Sequence, residues 1–162
     1  MLKLSDLPTA SCGVLRKASN TRPTIWIVDI NGVRAVVKDF SGNRFLFRNI
    51  VGRFLIWREA KAYRKLRGIR GVPEFFGVVD GLALVVQEIP GRSLENLEKE
   101  MHLPHTFFES METLVAAFHQ RGLAHCDLKR APNTLLGPDG MPYVVDRRSE
   151  ERRVGKECRS RW

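Results

Sequence analysis

Cysteine is scarce and unclustered: the 162 residues include only Cys12, Cys126 and Cys158, with no CxxC pair. That excludes a disulfide scaffold and any zinc site of the paired-cysteine kind, and the three are expected to be free thiols. No run approaches the roughly 18 consecutive apolar residues that a membrane-spanning helix needs. The opening MLKLSDLPTASCG lacks the basic-then-apolar layout of a secretory signal. There are no internal repeats and no low-complexity tracts. What is present is 43% hydrophobic and 28% charged residues, the balance of one ordinary domain or two small lobes in a reducing, cytosolic setting.

The formal charge of +9 is unevenly spread. Residues 148–162, RSEERRVGKECRSRW, hold six basic and three acidic residues and show neither helical nor strand period. They suit a solvated basic tail. They also resemble the conceptual translation of a common short-read sequencing adapter, which encodes these fifteen residues codon for codon, so the segment is expected to be artefactual. Functional residues are therefore sought in 1–147, and the true C-terminal part is expected to be missing. Within 1–147 the excess sits in one place: from Arg44 to Arg70 there are nine basic residues and a single acid, Glu59. Such a segment favours an anionic partner, whether nucleotide phosphate, nucleic acid or a membrane surface.

Two hairpin signals dominate the first half. TIWIVDI (24–30) and VRAVVKDF (33–40) are joined by Asn31 and Gly32, and FFGVVD and LALVVQE turn at Asp80 and Gly81; both pairs favour the positive φ angles of a tight hairpin turn. Between them Phe54, Trp57 or Ile56, Ala60, Tyr63 and Leu66 recur near the helical period, with Gly68 as the stop. After Pro90 and Gly91, RSLENLEKEM reads as a short polar helix. HTFFESMETLVAAFHQRG reads as a longer one, with the stripe Phe107, Phe108, Met111, Leu114, Val115, Phe118 and its end at Gly122. TLL, GPDG and PYVVD close as a third hairpin. The expected fold class is α+β, with a β-rich lobe holding one long helix, a connector near 88–92, and a helical lobe that ends early.

Four features fall in an order suited to phosphoryl transfer. Lys38 ends the apolar strand AVVK and needs a counter-charge, for which Glu59, on a helix expected to pack against that strand, is the natural partner. The plainer possibility is that Lys38 reaches water and Glu59 pairs with Arg58 or Lys61. His125, Asp127, Lys129 and Asn133 crowd into nine residues of loop. There Asp127 suits the acceptance of a hydroxyl proton, Lys129 the neutralisation of phosphoryl charge, and Asn133 the holding of a metal ion. Asp146, after YVV, offers a second hard oxygen ligand. Asp127 and Asn133 are equally able to serve as turn and cap residues.

In order, AVVK, the helix with Glu59, VVQEIPG, HCDLKRAPN and VVD resemble the β3 lysine, the C-helix glutamate, the hinge, the catalytic loop and the metal-binding aspartate of the protein-kinase-like fold. VVKDF and GRFLIWREAKAYRKL are most similar to the small bacterial kinases grouped with lipopolysaccharide (Kdo) kinases and RIO-type serine/threonine kinases. The resemblance covers about residues 10–146. It implies a kinase N-lobe with hinge over 1–90 and a partial C-lobe over 91–147 ending at the metal-binding aspartate. ATP with Mg²⁺ would bind between them. Lys38, paired to Glu59, would contact the α- and β-phosphates. Glu88 to Pro90 would form the hinge beside the adenine, with Gln87 as gatekeeper. Asp127 would be the catalytic base assisted by Lys129, Asn133 and Asp146 the metal ligands, and His125 structural.

Three departures stand beside it. A GxGxxG loop is absent, with only Gly13 in its place; Asp127 and Asn133 are six positions apart, one more than the usual pattern; and Arg147 follows Asp146 where FG is often found. The expected activity is transfer of the γ-phosphate of ATP to a hydroxyl of a protein or of a lipopolysaccharide-type sugar. This copy, ending early, is expected to be inactive, with Phe107, Leu114 and Phe118 partly exposed. A pseudokinase or nucleotide-binding interaction module without turnover is the competing expectation. Nucleic acid is not expected as a partner, because neither zinc-finger spacing nor an aromatic RNA-binding motif is present. The expected location is cytoplasmic, and the basic segment 44–70 adds a peripheral contact at the inner face of the membrane.

Overall fold

A computed structural model of the chain describes residues 11–19, 21–30, 32–97, 100, 102–125, 133–145 and 149–151, with backbone alone at 30, 124, 125 and 149–151. Two tight turns set the register of its main sheet. Strands β2 (Thr24–Ile30) and β3 (Val33–Asp39) pair without a break from Thr24↔Asp39 to Ile30↔Val33, and Gly32 has φ +82°. Strands β4 (Phe75–Val79) and β5 (Ala83–Gln87) turn through Asp80 at φ +51° and Gly81 at φ +68°, closed by the Leu82 amide donating to the Val79 carbonyl at 3.0 Å. Left-handed geometry at both central residues matches the twist of the flanking strands. With β1 (Ser11–Arg16) the sheet is antiparallel and ordered β1-β2-β3-β5-β4. Strand β1 is a finding beyond the sequence expectation. It is a largely exposed edge strand with two register shifts, so it shows no clean hydrophobic alternation.

Between β3 and β4 the chain forms α1 (Phe45–Phe47), a π-helical turn (Arg48–Gly52) and α2 (Arg53–Lys65). Helix α2 covers one face of the sheet: Ile56, Ala60 and Tyr63 pack with Phe40, Leu84 and Val86. The opposite face gathers Val28, Ala35, Val37, Ala83 and Val85 under Trp26. This corrects the helical stripe read from the sequence. Ile56, Ala60, Tyr63 and Leu66 are buried as expected, but Phe54 and Trp57 point outward.

The second half is a set of short elements: β6 (Arg92–Ser93), α3 (Leu94–Leu97), α4 (His105–Gln120), β7 (Leu123–His125), β8 (Thr134–Leu136), β9 (Pro142–Val144) and β10 (Ser149–Glu151). They form two small antiparallel sheets, β6-β8-β9 and β7-β10. The polar helix expected over 92–101 starts only at Leu94, because Arg92 and Ser93 pair with β8; residues 98, 99 and 101 lie outside the described residues. Strand β10 lies in the tail that shows no strand period; its pairing to β7 uses backbone groups, which need no particular side chains.

Helix α4 buries Phe107, Leu114 and Phe118, whereas Phe108 is exposed. The expectation that these three would be partly exposed is therefore wrong. Leu114 and Phe118 pack against Ala62 of α2, Leu66 at its C-cap, Leu123 of β7 and Val144 of β9, so the first half supplies the apolar partner of α4. The join is tight at Gly71. Its carbonyl accepts from the Val144 amide at 3.0 Å, its φ is +88°, and a Cβ there would lie 2.6 Å from the Pro142 carbonyl oxygen. Gly71→Ala is expected to destabilise the protein by roughly 2–4 kcal/mol, through left-handed strain and the backbone clash together. Urea denaturation measures this.

The β8–β9 turn is organised by Asp139, which accepts from the Met141 amide, the Tyr143 hydroxyl and Arg70. Desolvation by its surroundings works to raise its pKa, but the hydrogen bonds from the Met141 amide, the Tyr143 hydroxyl, its own amide and Arg70 together outweigh it and hold the carboxyl below its ordinary value. A carboxylate depressed by folding contributes stability above its unfolded pKa and loses it as pH falls. Asp139→Asn should therefore flatten part of the acid limb of a stability-versus-pH profile measured by thermal melts.

Candidate functional site

Strand β3 presents its residues alternately to the two faces of the sheet. Val36 and Phe40 belong to the face under α2, and Lys38 shares it, held in register between Ile25 of β2 and Leu84 of β5. On α2, Glu59 lies three residues after the buried Ile56 and four before the buried Tyr63, so it is carried toward the same face. The two meet: Lys38 Nζ lies 2.6 Å from Glu59 Oε1, and each side chain is only 13% exposed. A contact this short is a charge-assisted hydrogen bond in a largely dry setting. The plainer possibility, Lys38 free in water, is not what the chain adopts. Lys61 places its ammonium 5.3 Å from the centre of the Trp57 ring.

The expected hinge residues lie at the end of β5. Gln87 is exposed, and its side-chain oxygen accepts from the Glu74 amide at 3.2 Å. Glu88 pairs with Arg34 at 2.6 Å, and its amide donates to the Arg34 carbonyl. Pro90 is exposed. Next to it, Gly91 passes so close to β8 that a Cβ would sit 2.6 Å from the Leu136 carbonyl oxygen. The connector is thereby laid against the hairpin that begins at Asn133.

Asn133 is buried, and its carbonyl accepts from the Val145 amide at 3.0 Å. The Tyr63 hydroxyl donates to the Val145 carbonyl at 3.3 Å. One turn of α2 thus separates the carboxylate that holds Lys38 from the phenol that holds the residue preceding Asp146. Asp127, Lys129 and Asp146 themselves lie outside the described residues. Among the described residues, no three His, Cys, Asp or Glu side chains converge to hold a metal ion; Asn133 is the one expected ligand within them.

Sequence reasoning missed Tyr63 and Arg34. Tyr63 falls inside an apolar stripe, where its hydroxyl carries no periodic signal; a phenol at a fully buried position was the available hint, since such a group needs a partner. Arg34 is an exposed hairpin residue whose partner is 54 positions away, beyond any local pattern. A groove of about 400 Å³ lies elsewhere, lined by Tyr63, Arg64, Arg67, Phe75 and Phe76, and takes in neither Lys38 nor Glu59. No helix among the described residues is long and apolar enough to cross a membrane.

Compared with known proteins, the chain matches no family model and no curated sequence. Its functional reading rests on its own residues.

Lys38→Met removes the 2.6 Å ion-pair contact of Glu59 in a nearly dry position. The cost is about 3–5 kcal/mol where burial is complete, and here it should fall to about 1–3 kcal/mol because both groups still touch water. Glu59→Gln should cost a similar amount. The double substitution should cost less than the two singles together, which a double-mutant cycle of urea melts resolves.

Proposed function

We propose that this chain carries the nucleotide-handling part of an ATP-dependent phosphotransferase with a two-lobed, protein-kinase-like fold, its N-lobe and hinge over 1–90 and part of its C-lobe over 91–147. The observation that carries the reading is the Lys38–Glu59 pair, which ties the third strand of an antiparallel sheet to the helix that follows it. In protein kinases a lysine on β3 paired to a glutamate on the next helix positions the phosphates, and the enzyme is competent only with that pair in place. An ammonium tethered in this way gives phosphate oxygens a fixed cationic donor with little reorganisation.

On this reading the adenine lies beside the connector Glu88 to Pro90, with Gln87 at the gatekeeper position. Asn133 and Asp146 would hold Mg²⁺, which when bound neutralises phosphate charge. The buried Asn133 and the pinning of Val145 beside it support two oxygen ligands at neighbouring strand ends. Asp127 accepts the proton of the acceptor hydroxyl as its oxygen attacks the γ-phosphorus and ADP departs, with Lys129 countering charge on the transferred group. The acceptor is a hydroxyl of a protein or of a lipopolysaccharide-type sugar.

One observation favours a second reading, nucleotide binding without turnover. The strand where phosphate coverage is expected, β1, is an exposed edge with Gly13 as its single glycine.

Nucleotide binding needs no acceptor and is the first measurement. Calorimetry should show Mg·ATP binding by the 162-residue chain, weakened at least about tenfold by Lys38→Met, the loss of one fixed charge–phosphate contact. Absence of binding, or binding indifferent to Lys38→Met, refutes the proposal. A gene product extended beyond Asp146 should then transfer labelled phosphate, and Asp127→Ala should abolish transfer. Binding by that longer product with no transfer to any acceptor supports the second reading.

A further inference from the structure

The helical run that delivers Glu59 to Lys38 has a second apolar face that the fold does not use. Its inner side is filled by Gly52, Ile56, Ala60 and Tyr63. On the outside, Phe45, Leu46, Ile50, Phe54 and Trp57 are each between 55% and 71% exposed. Leu46, Ile50, Phe54 and Trp57 recur at steps of four, four and three, one continuous strip on a helix. The Phe54 and Trp57 rings lie 6.1 Å apart within it. From Phe45 to Trp57 the strip is about 18 Å long at 1.5 Å per residue. Leaving five large apolar side chains in water along one helical run of α1, the π-helical turn and α2 is a marked departure from the scattered exposure usual on a monomer's surface.

Cations flank the strip at both ends. Arg48 lies over the Phe45 ring and Lys61 over the Trp57 ring, each at 5.3 Å. Arg44 is exposed at the start of the run, and Arg53 is exposed with its guanidinium over Gly81 of the β4–β5 turn. No acidic residue occurs from Ser41 through Arg58, and the first acid after it, Glu59, is turned inward to Lys38. The run itself therefore offers apolar and aromatic groups together with cations and no exposed acid. Anionic lipid headgroups over an acyl boundary have the complementary arrangement, and tryptophan and arginine suit that boundary because each couples an apolar body to a polar group.

We propose that the face formed by Phe45, Leu46, Ile50, Phe54 and Trp57 is a docking surface for an anionic membrane, with the helix lying in the plane of the interface. The proposal does not depend on phosphoryl transfer and stands if ATP is not a substrate. It would hold the Lys38–Glu59 site at a bilayer surface, because the same helix carries both.

The test uses the full chain and sedimentation with vesicles of phosphatidylcholine alone, or of phosphatidylcholine and phosphatidylglycerol in equal parts. Partition should favour the anionic vesicles by about tenfold or more and weaken as salt is raised. The pair Phe54→Ser/Trp57→Ser should lower that partition by about tenfold or more, since it removes two interfacial aromatics. Both side chains are exposed, so far-UV dichroism and the thermal midpoint should stay as in the parent. Bromine-labelled acyl chains should quench emission from the parent protein and quench it far less in Trp57→Phe, a readout that survives should the serine pair fold poorly. Equal partition onto both vesicle types overturns the proposal. So does anionic binding that the serine pair leaves intact together with absent acyl-chain quenching, which marks adsorption by charge alone. Tighter binding to a single-stranded oligonucleotide than to the vesicles, unaffected by the serine pair, overturns it in favour of nucleic acid.

Discussion

Helix α2 is buried on two sides, and the rest of the structure depends on that. Its sheet side carries Ile56, Ala60 and Tyr63 into the core built on Phe40, Leu84 and Val86, while Ala62 and Leu66 enter a separate core with Leu114, Phe118, Leu123 and Val144. A 13-residue helix is marginal alone in water, so α2 persists because both cores need it. Its orientation is then no longer adjustable. The small residues Ala60 and Ala62 let it approach both bodies, and the Tyr63 hydroxyl adds a directional bond to Val145 where packing alone would leave rotation open.

The Lys38–Glu59 contact follows from that constraint. Neither residue is placed by its own neighbours in sequence. Lys38 is aimed by the pairing of β3 with β2 and β5, and Glu59 by the seating of α2. Two charges that each keep 13% exposure carry a desolvation cost, offset by mutual attraction and a 2.6 Å hydrogen bond. Such a pair adds little net stability and much directional definition. Arg34 with Glu88 makes a more exposed version of the same bond, anchoring the connector to the other end of β3.

The same helix shows the limit of periodic reading. Apolar residues surround it on more than one side, and a period of 3.6 accommodates either Ile56 or Trp57 and either Leu55 or Phe54 as the inward set. The two hairpins were legible because Asn-Gly and Asp-Gly pairs favour the positive φ of a tight turn whatever surrounds them, and Gly32, Asp80 and Gly81 adopt it. Helices 53–65 and 105–120 were legible from period and length. Which residues of each are buried was legible only in part: Ile56, Ala60, Tyr63, Phe107, Leu114 and Phe118 are buried as the stripes indicate, whereas Phe54, Trp57 and Phe108 are exposed because the partners of those helices arrive from distant sequence. Edge strand β1, with register shifts and few buried side chains, left almost no pattern to find.

Local chemistry, then, is what the sequence by itself determined: the two tight turns, the lengths of the principal strands and helices, the absence of any apolar run able to span a membrane, and a lone acid within a basic stretch opposite a strand-borne lysine. Tertiary structure alone decided that these two charges touch, that Tyr63 reaches Val145, that α4 is covered by the back of α2, and that five apolar side chains are left facing outward. The physical reason is range. Turn geometry and periodicity act over a few residues and are written in residue type, whereas burial and ion pairing depend on which surfaces meet across 21 to 82 positions of chain.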